Sequence, residues 1–349
     1  MKEQAASGGA DSALSKEAGR EAAVARRPGP RRAWDVLDLV ERYGILVVWA
    51  LVVVLFSILA PATFPTLANF QTILGTQAVL LIMTLGLLIP LTSGEFDLSV
   101  GATMGFAAIV VGFLNVQHGW PILAAAVAAL VVGLAFGSLN AFLVVRLGVP
   151  SLVATLGTGT LLSGAGYGVS NSVTIGGIAP GLISFATTQV VGLPLTFFYG
   201  VLVCVAVWYV FDYTPLGRYL VFVGEGREVA RLAGLRVDAI RAGSLIACAF
   251  IASVAGVLQA GVVGAADPGG GTSYLLPAFA GAFLGQTAIK PGRFNPWGTL
   301  VAVYFLVTGI TGLELLGLSG WVQDVFYGGS LVLAVALGRI AARRRAASR

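Results

Sequence analysis

The sequence predicts an all-α integral membrane protein of about ten transmembrane helices, with both termini in the cytoplasm. Of its 349 residues, 57% are hydrophobic and 11% are charged, whereas about 25% are charged in ordinary soluble domains. Charges are also absent from long stretches. None lies between Arg42 and Glu95, and Arg146 is the only one between Asp97 and Asp212. Because a soluble surface needs charge and lipid excludes it, these stretches belong in a bilayer.

Ten apolar segments account for the predicted helix count. A helix needs about 20 apolar residues to cross the hydrocarbon core. Segments of about this length lie at 44–60, 70–92, 98–116, 120–145, 150–170, 194–211, 242–265, 274–289, 296–313 and 320–338. The third and eighth are short and rich in glycine, a pattern typical of broken or re-entrant helices.

The basic residues predict the orientation of these helices. All 21 Lys and Arg lie in the two terminal tails or in the even-numbered gaps between segments. Cytoplasmic loops of membrane proteins carry an excess of basic residues. Ten helices with both termini inside satisfy this rule at every gap, and an odd number does not.

The chain divides into three parts by composition. Residues 1–43 contain 8 basic and 7 acidic residues, which predicts a disordered cytoplasmic tail with a short amphipathic lead-in helix at 33–43. Residues 44–338 are the transmembrane domain. Residues 339–349 form a basic cytoplasmic tail.

Small residues and a weak repeat indicate how the helices pack. Glycine pairs spaced four apart at 101/105, 133/137 and 281/285 favour close helix contacts. The segment Ser99–Val111 resembles Thr272–Leu284, and each follows a turn with a nearby Asp. An odd number of segments offsets the two halves, which predicts an inverted repeat.

Residue counts exclude several activities. One histidine and two unpaired cysteines indicate no metal or haem site, and no lysine ends a phosphate-binding loop. The charges form no basic surface stripe, so no nucleic acid is expected. The string 317–320 (G-L-S-G) matches one used by intramembrane serine proteases. That chemistry needs a histidine base, and His118 falls in a predicted external turn.

A first motif lies at residues 89–101, where Pro90 and Gly94 predict that the second helix breaks. Glu95 and Asp97 are the only acids between residues 42 and 211. One interpretation is a broken helix that lines a translocation path. The other is a tight turn in which Asp97 caps the next helix.

A second motif is the longest internal polar stretch, residues 212–241, with 5 basic and 4 acidic residues. Residues 214–217 predict a turn, and 225–232 predict a short helix that ends before Gly234. Charged and apolar residues lie on neighbouring faces of this helix, which suits the groove of a partner. The alternative is a solvated connector.

Three strings carry a family resemblance. They are T-S-G-E-F-D-L-S-V-G (92–101), L-N-A-F-L-V-V-R-L-G-V-P-S-L-V-A-T-L-G-T (139–158) and T-P-L-G-R-Y-L-V-F-V-G-E-G-R-E-V-A-R-L-A-G-L-R-V (214–237). The sequence resembles the permease subunits of bacterial ATP-binding cassette importers over about 44–338. The most similar branch is the ribose-type monosaccharide permeases, and branched-chain amino acid permeases are more distant. The sequence departs in its charged N-terminal tail and in Gly-Glu-Phe-Asp, where many relatives have Gly-Gly-Ile-Asp.

The resemblance implies a multi-pass permease of the bacterial inner membrane that works as a homodimer, with residues 44–338 as the transmembrane permease domain and 212–241 as the coupling loop. A cytoplasmic ATP-binding subunit would drive it through a helix at 224–236. An extracytoplasmic binding protein would deliver a monosaccharide or similar polyol, with the external stretch 171–193 on the docking side. The chain itself would be no enzyme and would need no cofactor.

The candidate residues fall into two groups. The expected ATPase-coupling residues are Gly217, Arg218, Gly224, Glu225, Arg227, Glu228, Arg231, Leu232 and Gly234. The expected path residues are Thr92, Glu95, Phe96, Asp97, Ser99, Asn140, Thr155 and Thr158.

Two alternatives remain open. A permease of the same superfamily for branched-chain amino acids or nucleosides would have the same architecture. A secondary transporter driven by protons or sodium would need a buried carboxylate relay, for which Glu95 and Asp97 are the candidates.

Overall fold

The structure is a computed structural model that describes the backbone of residues 36–318 and 320–347, and the side chains of 42–318, 320–336 and 338. This part of the chain is mostly helical, as predicted. Its helices are α1 (Val36–Leu59), α2 (Leu67–Thr76), α3 (Ala78–Thr92), α4 (Val100–Gly112), α5 (Ile122–Ala141), α6 (Ser151–Val169), α7 (Pro180–Thr187), α8 (Leu195–Tyr213), α9 (Pro215–Glu225), α10 (Arg227–Leu232), α11 (Val237–Val263), α12 (Leu275–Gly285), α13 (Pro296–Leu315) and α14 (Trp321–Ala347).

Shorter elements complete the chain. Wider π-helical turns extend α4 (Phe113–Gln117) and α5 (Phe142–Arg146), and a 3₁₀ turn (Thr272–Tyr274) precedes α12. Four two-residue strands are β1 (Ile175–Gly176), β2 (Gln189–Val190), β3 (Leu193–Pro194) and β4 (Ala265–Ala266). Both pairs, β1 with β4 and β2 with β3, are antiparallel. The predicted tail at 1–35, the last two residues and Ser319 of the G-L-S-G string lie outside the described residues.

Seven helical segments of the described residues are long and apolar enough to cross a membrane. They are Arg42–Leu59, Leu67–Thr92, Val100–Gln117, Ile122–Arg146, Leu195–Tyr213, Val237–Val263 and Pro296–Leu315. Thr272–Gly285 and Trp321–Ala336 are shorter apolar helices. The remaining predicted segment, 150–170, is α6, which is helical but rich in Gly, Ser and Thr. The exact count of ten stays a prediction.

Contacts between distant residues bring three helix ends together. The Ile289 N–H donates to the carbonyl oxygen of Arg42 at 2.9 Å. Lys290 Nζ lies 2.5 Å from Asp212 Oδ2, so the end of α8 is at the same place. Arg42 of α1, the end of α8 and the α12–α13 connection therefore share one end of the bundle.

The hydrophobic core lies where α3, α4, α11 and α12 pack together. Helix α3 is apolar on all sides because other helices surround it, and Leu81 and Met83 are fully buried. Helix α5 instead exposes Leu123, Val127 and Val131 along one side. This side is suited to lipid, which solvates aliphatic side chains.

The three predicted glycine pairs all lie at close contacts between distant segments. A Cβ atom on Gly133 or Gly137 of α5 would collide with Ser253 or Ala249 of α11. The pair in α4 meets Gly271, and the pair in α12 meets α13. Close backbone approach therefore holds this bundle together.

The two segments of the predicted repeat follow similar turns. Asp97 Oδ1 accepts from the Ser99 N–H at 2.9 Å, and Asp267 Oδ1 accepts from the Gly269 N–H at 3.1 Å. Asp97 thus holds the turn before α4, and its carboxylate bonds no amide of that helix. The likeness agrees with a repeat, and the two inverted halves stay a prediction.

Two local predictions within 212–241 need correction. Residues 214–217 do not form a separate turn, because α9 begins at Pro215. The N–H at the first position of a helix has no acceptor within the helix, so proline costs no hydrogen bond there. The predicted helices at 225–232 and 224–236 are reduced to α10, since Gly226 is extended and separates α10 from α9. Gly234 follows with φ of +81°, as expected of a helix end.

Candidate functional site

The predicted break after α3 is a helix end that a glycine closes. Gly94 has φ of +79°, a conformation that side chains disfavour. Its N–H donates to the Leu91 carbonyl at 3.2 Å, and the Glu95 N–H donates to the Pro90 carbonyl at 2.9 Å. These two bonds form a Schellman motif. Pro90 itself lies within the last turn of α3, so Gly94 is the residue that ends the helix.

Four buried polar side chains after the break form a chain of hydrogen bonds, here called the Asp97 network. Ser99 Oγ donates to Asp97 Oδ1 at 2.5 Å, and Asn140 Nδ2 donates to Ser99 Oγ at 2.9 Å. Thr158 Oγ1 donates to Asn140 Oδ1 at 2.6 Å. No member is more than 6% exposed. The network joins the connection 93–99 to α5 and α6.

Helix α6 also binds the backbone of this connection. Thr155 Oγ1 accepts from the Leu98 N–H at 2.9 Å, and Ser151 Oγ accepts from the Phe96 N–H at 3.2 Å. Buried amides outside a helix need such partners. The hydroxyl groups of α6 therefore satisfy a stretch of backbone that has no helical hydrogen bonds.

One oxygen of the Asp97 network has no hydrogen-bond partner in the part of the chain that the structure describes. Asp97 is fully buried, and its Oδ2 has no hydrogen-bond partner among the described residues, although the Cys248 thiol is a weak donor beside the carboxyl. Asp97 lies in the connection between two spans. Burial raises its pKa, and the bonds from Ser99 act in the opposite direction. Asp97 Oδ2 is thus a buried oxygen with capacity for a further hydrogen bond.

Glu95 is the second buried acid, and two arginines of other elements pair with it. Its side chain is 2% exposed. Arg241 Nε of α11 lies 2.5 Å from Glu95 Oε1, and Arg227 Nη2 of α10 lies 2.7 Å from the same oxygen. Arg227 also donates to the carbonyl of Gly94 at 3.1 Å. Buried carboxylates need partners of this kind, and here the partners attach α10 and α11 to the end of α3.

Residues 224–226, here called the elbow, also contact the end of α3. A Cβ atom on Gly224 would collide with the carbonyl oxygen of Thr92. Ser93 Oγ lies 3.0 Å from Ser244 Oγ of α11. Residues 92–95 are therefore the point at which the elbow, α10 and α11 meet.

The other predicted coupling residues lie along α9 and α10. Gly217 packs on the backbone of Phe211. Arg218 and Glu225 line a groove of about 440 Å³ that also includes Lys290 and Arg293. Charged groups of both signs therefore surround this groove.

Helix α10 exposes five of its six side chains. Leu232 is 88% exposed and Val229 is 60% exposed. Arg231 pairs with Glu228 at 3.4 Å and with Asp238 at 3.5 Å, and all three are more than half exposed. Exposed pairs of this kind contribute little to stability. Because Val229 and Leu232 are exposed, this surface is accessible to a partner.

The structure joins the two motifs that sequence reasoning treated separately. Thr92 and Glu95 lie at the end of α3, and the other predicted path residues belong to the Asp97 network or adjoin it. Sequence reasoning missed Arg241 and Ser151. The available signal for Arg241 was its position as the last charge before the apolar run 242–265, where a cation needs a partner.

Comparison with known proteins identifies the family. Residues 69–335 match the family described as the permease component of branched-chain amino acid transport systems. The chain belongs to this permease family. With its apolar helices of spanning length, the permease is a multi-pass protein of the bacterial inner membrane. Permeases of this kind are transport subunits.

Curated relatives of the permease are import proteins. It is 31% identical to the ribose import permease protein of Escherichia coli strain K12 over 87% of this chain and 95% of the relative. It is 27% identical to the D-allose transport system permease protein of the same strain, over 86% and 92%. It is 30% identical to an autoinducer 2 import system permease protein of Photorhabdus laumondii, over 86% and 92%. No solved structure matches the chain.

Proposed function

We propose that this permease is the membrane-spanning subunit of an ATP-driven importer and forms the path for a monosaccharide or similar polyol. The observation that carries the proposal is the similarity to ribose, D-allose and autoinducer 2 import permeases along nearly the whole chain. The site chemistry agrees with it. A neutral, hydroxyl-rich substrate suits hydroxyl, amide and backbone groups rather than unpaired charges.

The path lies beside the Asp97 network. Asn140 and Thr158 bond each other in the present arrangement, so a path opens only if α5 and α6 shift. A sugar hydroxyl can then replace one of these internal bonds, and Asp97 Oδ2 has no hydrogen-bond partner among the described residues. Thr92, Glu95, Phe96 and Thr155 position the connection at the edge of this path.

A separate ATPase binds at α10 and the elbow. The sequence has no phosphate-binding loop, so ATP must be hydrolysed by another polypeptide. The exposed Val229 and Leu232 give α10 an apolar surface among charges, which is a surface that a groove of the partner would cover. Binding of ATP would close the ATPase, and the movement of α10 would alternate access to the path.

Two further partners complete the importer. The binding protein docks on the side that carries α7 and the β2–β3 turn, where Val191 is 93% exposed and Phe185 is 53% exposed. A second copy of the permease packs on α6, whose outer face carries Gly157, Gly164 and Gly168 with open space beside each.

The experiment is uptake by right-side-out vesicles that contain the permease with its ATPase, with ATP in the lumen and the binding protein added outside. Radiolabelled D-ribose, D-allose, leucine and adenosine serve as probes. We expect uptake of a sugar that requires ATP, that vanadate abolishes and that an uncoupler leaves unchanged. Transport of leucine or adenosine alone would overturn the sugar assignment, and loss of uptake with the uncoupler alone would favour ion coupling.

A further inference from the structure

We propose that the Glu95 carboxylate is a positioning residue that ties α10 to the break between α3 and α4, so that movement of α10 reaches the Asp97 network. The inference rests on the proposed function, because it assigns a role in ATP-driven transport. A single oxygen carries it. Glu95 Oε1 accepts from Arg227 of α10 and from Arg241 of α11.

The three side chains differ in burial in a way that suits a link between a moving and a fixed element. Glu95 is 2% exposed and Arg241 is 13% exposed, whereas Arg227 is 43% exposed. A buried carboxylate loses much of its stabilisation when a partner leaves. Movement of Arg227 away from Glu95 is therefore opposed unless the end of α3 moves with it.

The steric contact at the elbow cannot by itself transmit movement of α10 to the end of α3 in both directions. Gly224 touches the Thr92 carbonyl through backbone atoms, so a movement toward α3 is transmitted by repulsion. A movement away from α3 needs an attractive contact. The pair between Arg227 and Glu95, with the bond from Arg227 to the Gly94 carbonyl, supplies it.

A displacement of Glu95 reaches the path through the backbone. One residue, Phe96, separates Glu95 from Asp97, and Ser151 Oγ of α6 accepts from the Phe96 N–H. Asn140 then connects Ser99 to Thr158. The route from α10 to α5 and α6 thus consists of contacts between 2.5 and 3.2 Å.

The first test measures the link without ATPase or substrate. A nitroxide is attached at Leu232→Cys in the full chain in phospholipid nanodiscs, where the native Cys204 and Cys248 are buried. We expect Glu95→Gln and Arg227→Gln each to shift the spectrum to higher mobility. The double variant should have no larger effect than the stronger single variant, because both changes remove the same pair between Arg227 and Glu95.

The matched control is Glu314→Gln, which makes the same chemical change in an exposed carboxylate on α13 that accepts from Gln323 at 2.6 Å. Its spectrum should equal that of the parent. If Glu95→Gln fails to fold, Arg227→Gln carries the same expectation, since that side chain is half exposed. Unchanged mobility in the folded variants overturns the inference.

The second test separates a link from a merely structural role. In proteoliposomes with the ATPase and binding protein, ATP hydrolysis and uptake of D-ribose or D-allose are measured together. We expect Glu95→Gln and Arg227→Gln to raise the ATP consumed per sugar by at least about fivefold, the lower end of common coupling effects. Uptake and hydrolysis that fall in equal proportion overturn the inference. An importer that shows no ATP-driven sugar uptake before mutation contradicts the proposed function instead, and the mobility result then decides the link by itself.

Discussion

At the scale of single residues, Asn140 is the centre of the Asp97 network, because its amide bonds Ser99 on one side and Thr158 on the other. Asn140→Ala removes both bonds in a buried site. We expect a loss of about 1–2 kcal/mol in stability, since buried polar groups that lose a partner are penalised. The measurement is the midpoint of thermal denaturation of the purified protein.

The control for Asn140→Ala is Ser138→Ala, two residues earlier on α5. Ser138 is exposed and its hydroxyl bonds only the Leu134 carbonyl of its own helix among the described residues. The thermal midpoint of Ser138→Ala should stay close to that of the parent protein. Equal midpoints for the two variants would show that the network adds nothing to stability.

At the scale of elements, the elbow between α9 and α10 depends on one glycine. Gly224→Ala places a methyl group on the Thr92 carbonyl oxygen. We expect the elbow to separate from α3, with a lowered thermal midpoint and a loss of about 1–3 kcal/mol, as for other overpacked sites.

Gly226→Ala is the comparison for Gly224→Ala, two residues along the same elbow. Its Cβ atom would meet Val229 at 3.7 Å, an ordinary contact, and its φ of −173° suits any residue. A small change in midpoint is expected. A larger loss from Gly226→Ala than from Gly224→Ala would contradict the proposed close approach of the elbow.

At the scale of the whole molecule, the prediction concerns orientation. Lys290 lies beside Asp212 at the end of α8, and Thr188 lies before the start of α8. In Thr188→Cys and Lys290→Cys variants, a membrane-impermeant maleimide should label position 188 only from outside and position 290 only from inside, because basic loops stay in the cytoplasm. The native cysteines are buried, so background labelling should be low.

Labelling of both positions from one side would contradict this arrangement. It would indicate that the short helix α12 enters and leaves the membrane on the same face, which gives an odd number of crossings. The structure favours a chain that crosses the membrane at α12. Lys290 follows α12 and pairs with Asp212 at the end of α8, although α12 is short.

Local signals in the sequence determined much of this protein. Uncharged runs required membrane helices, Gly94 and Gly234 ended α3 and α10, and spaced glycines marked close contacts. Each effect depends on residues within one or two helical turns, so it can be read from the order of residues. The correction at Gly226, which divides the predicted coupling helix, shows the limit of such signals.

Only the tertiary structure decided which distant residues meet. Glu95 was expected at the path or in a carboxylate relay, and its partners Arg227 and Arg241 lie 132 and 146 residues away. The sequence offers Glu95 several possible cations, and the positions of α10 and α11 beside the end of α3 select two of them. The physical reason is that an ion pair depends on distances of a few ångströms, which the positions of whole helices set.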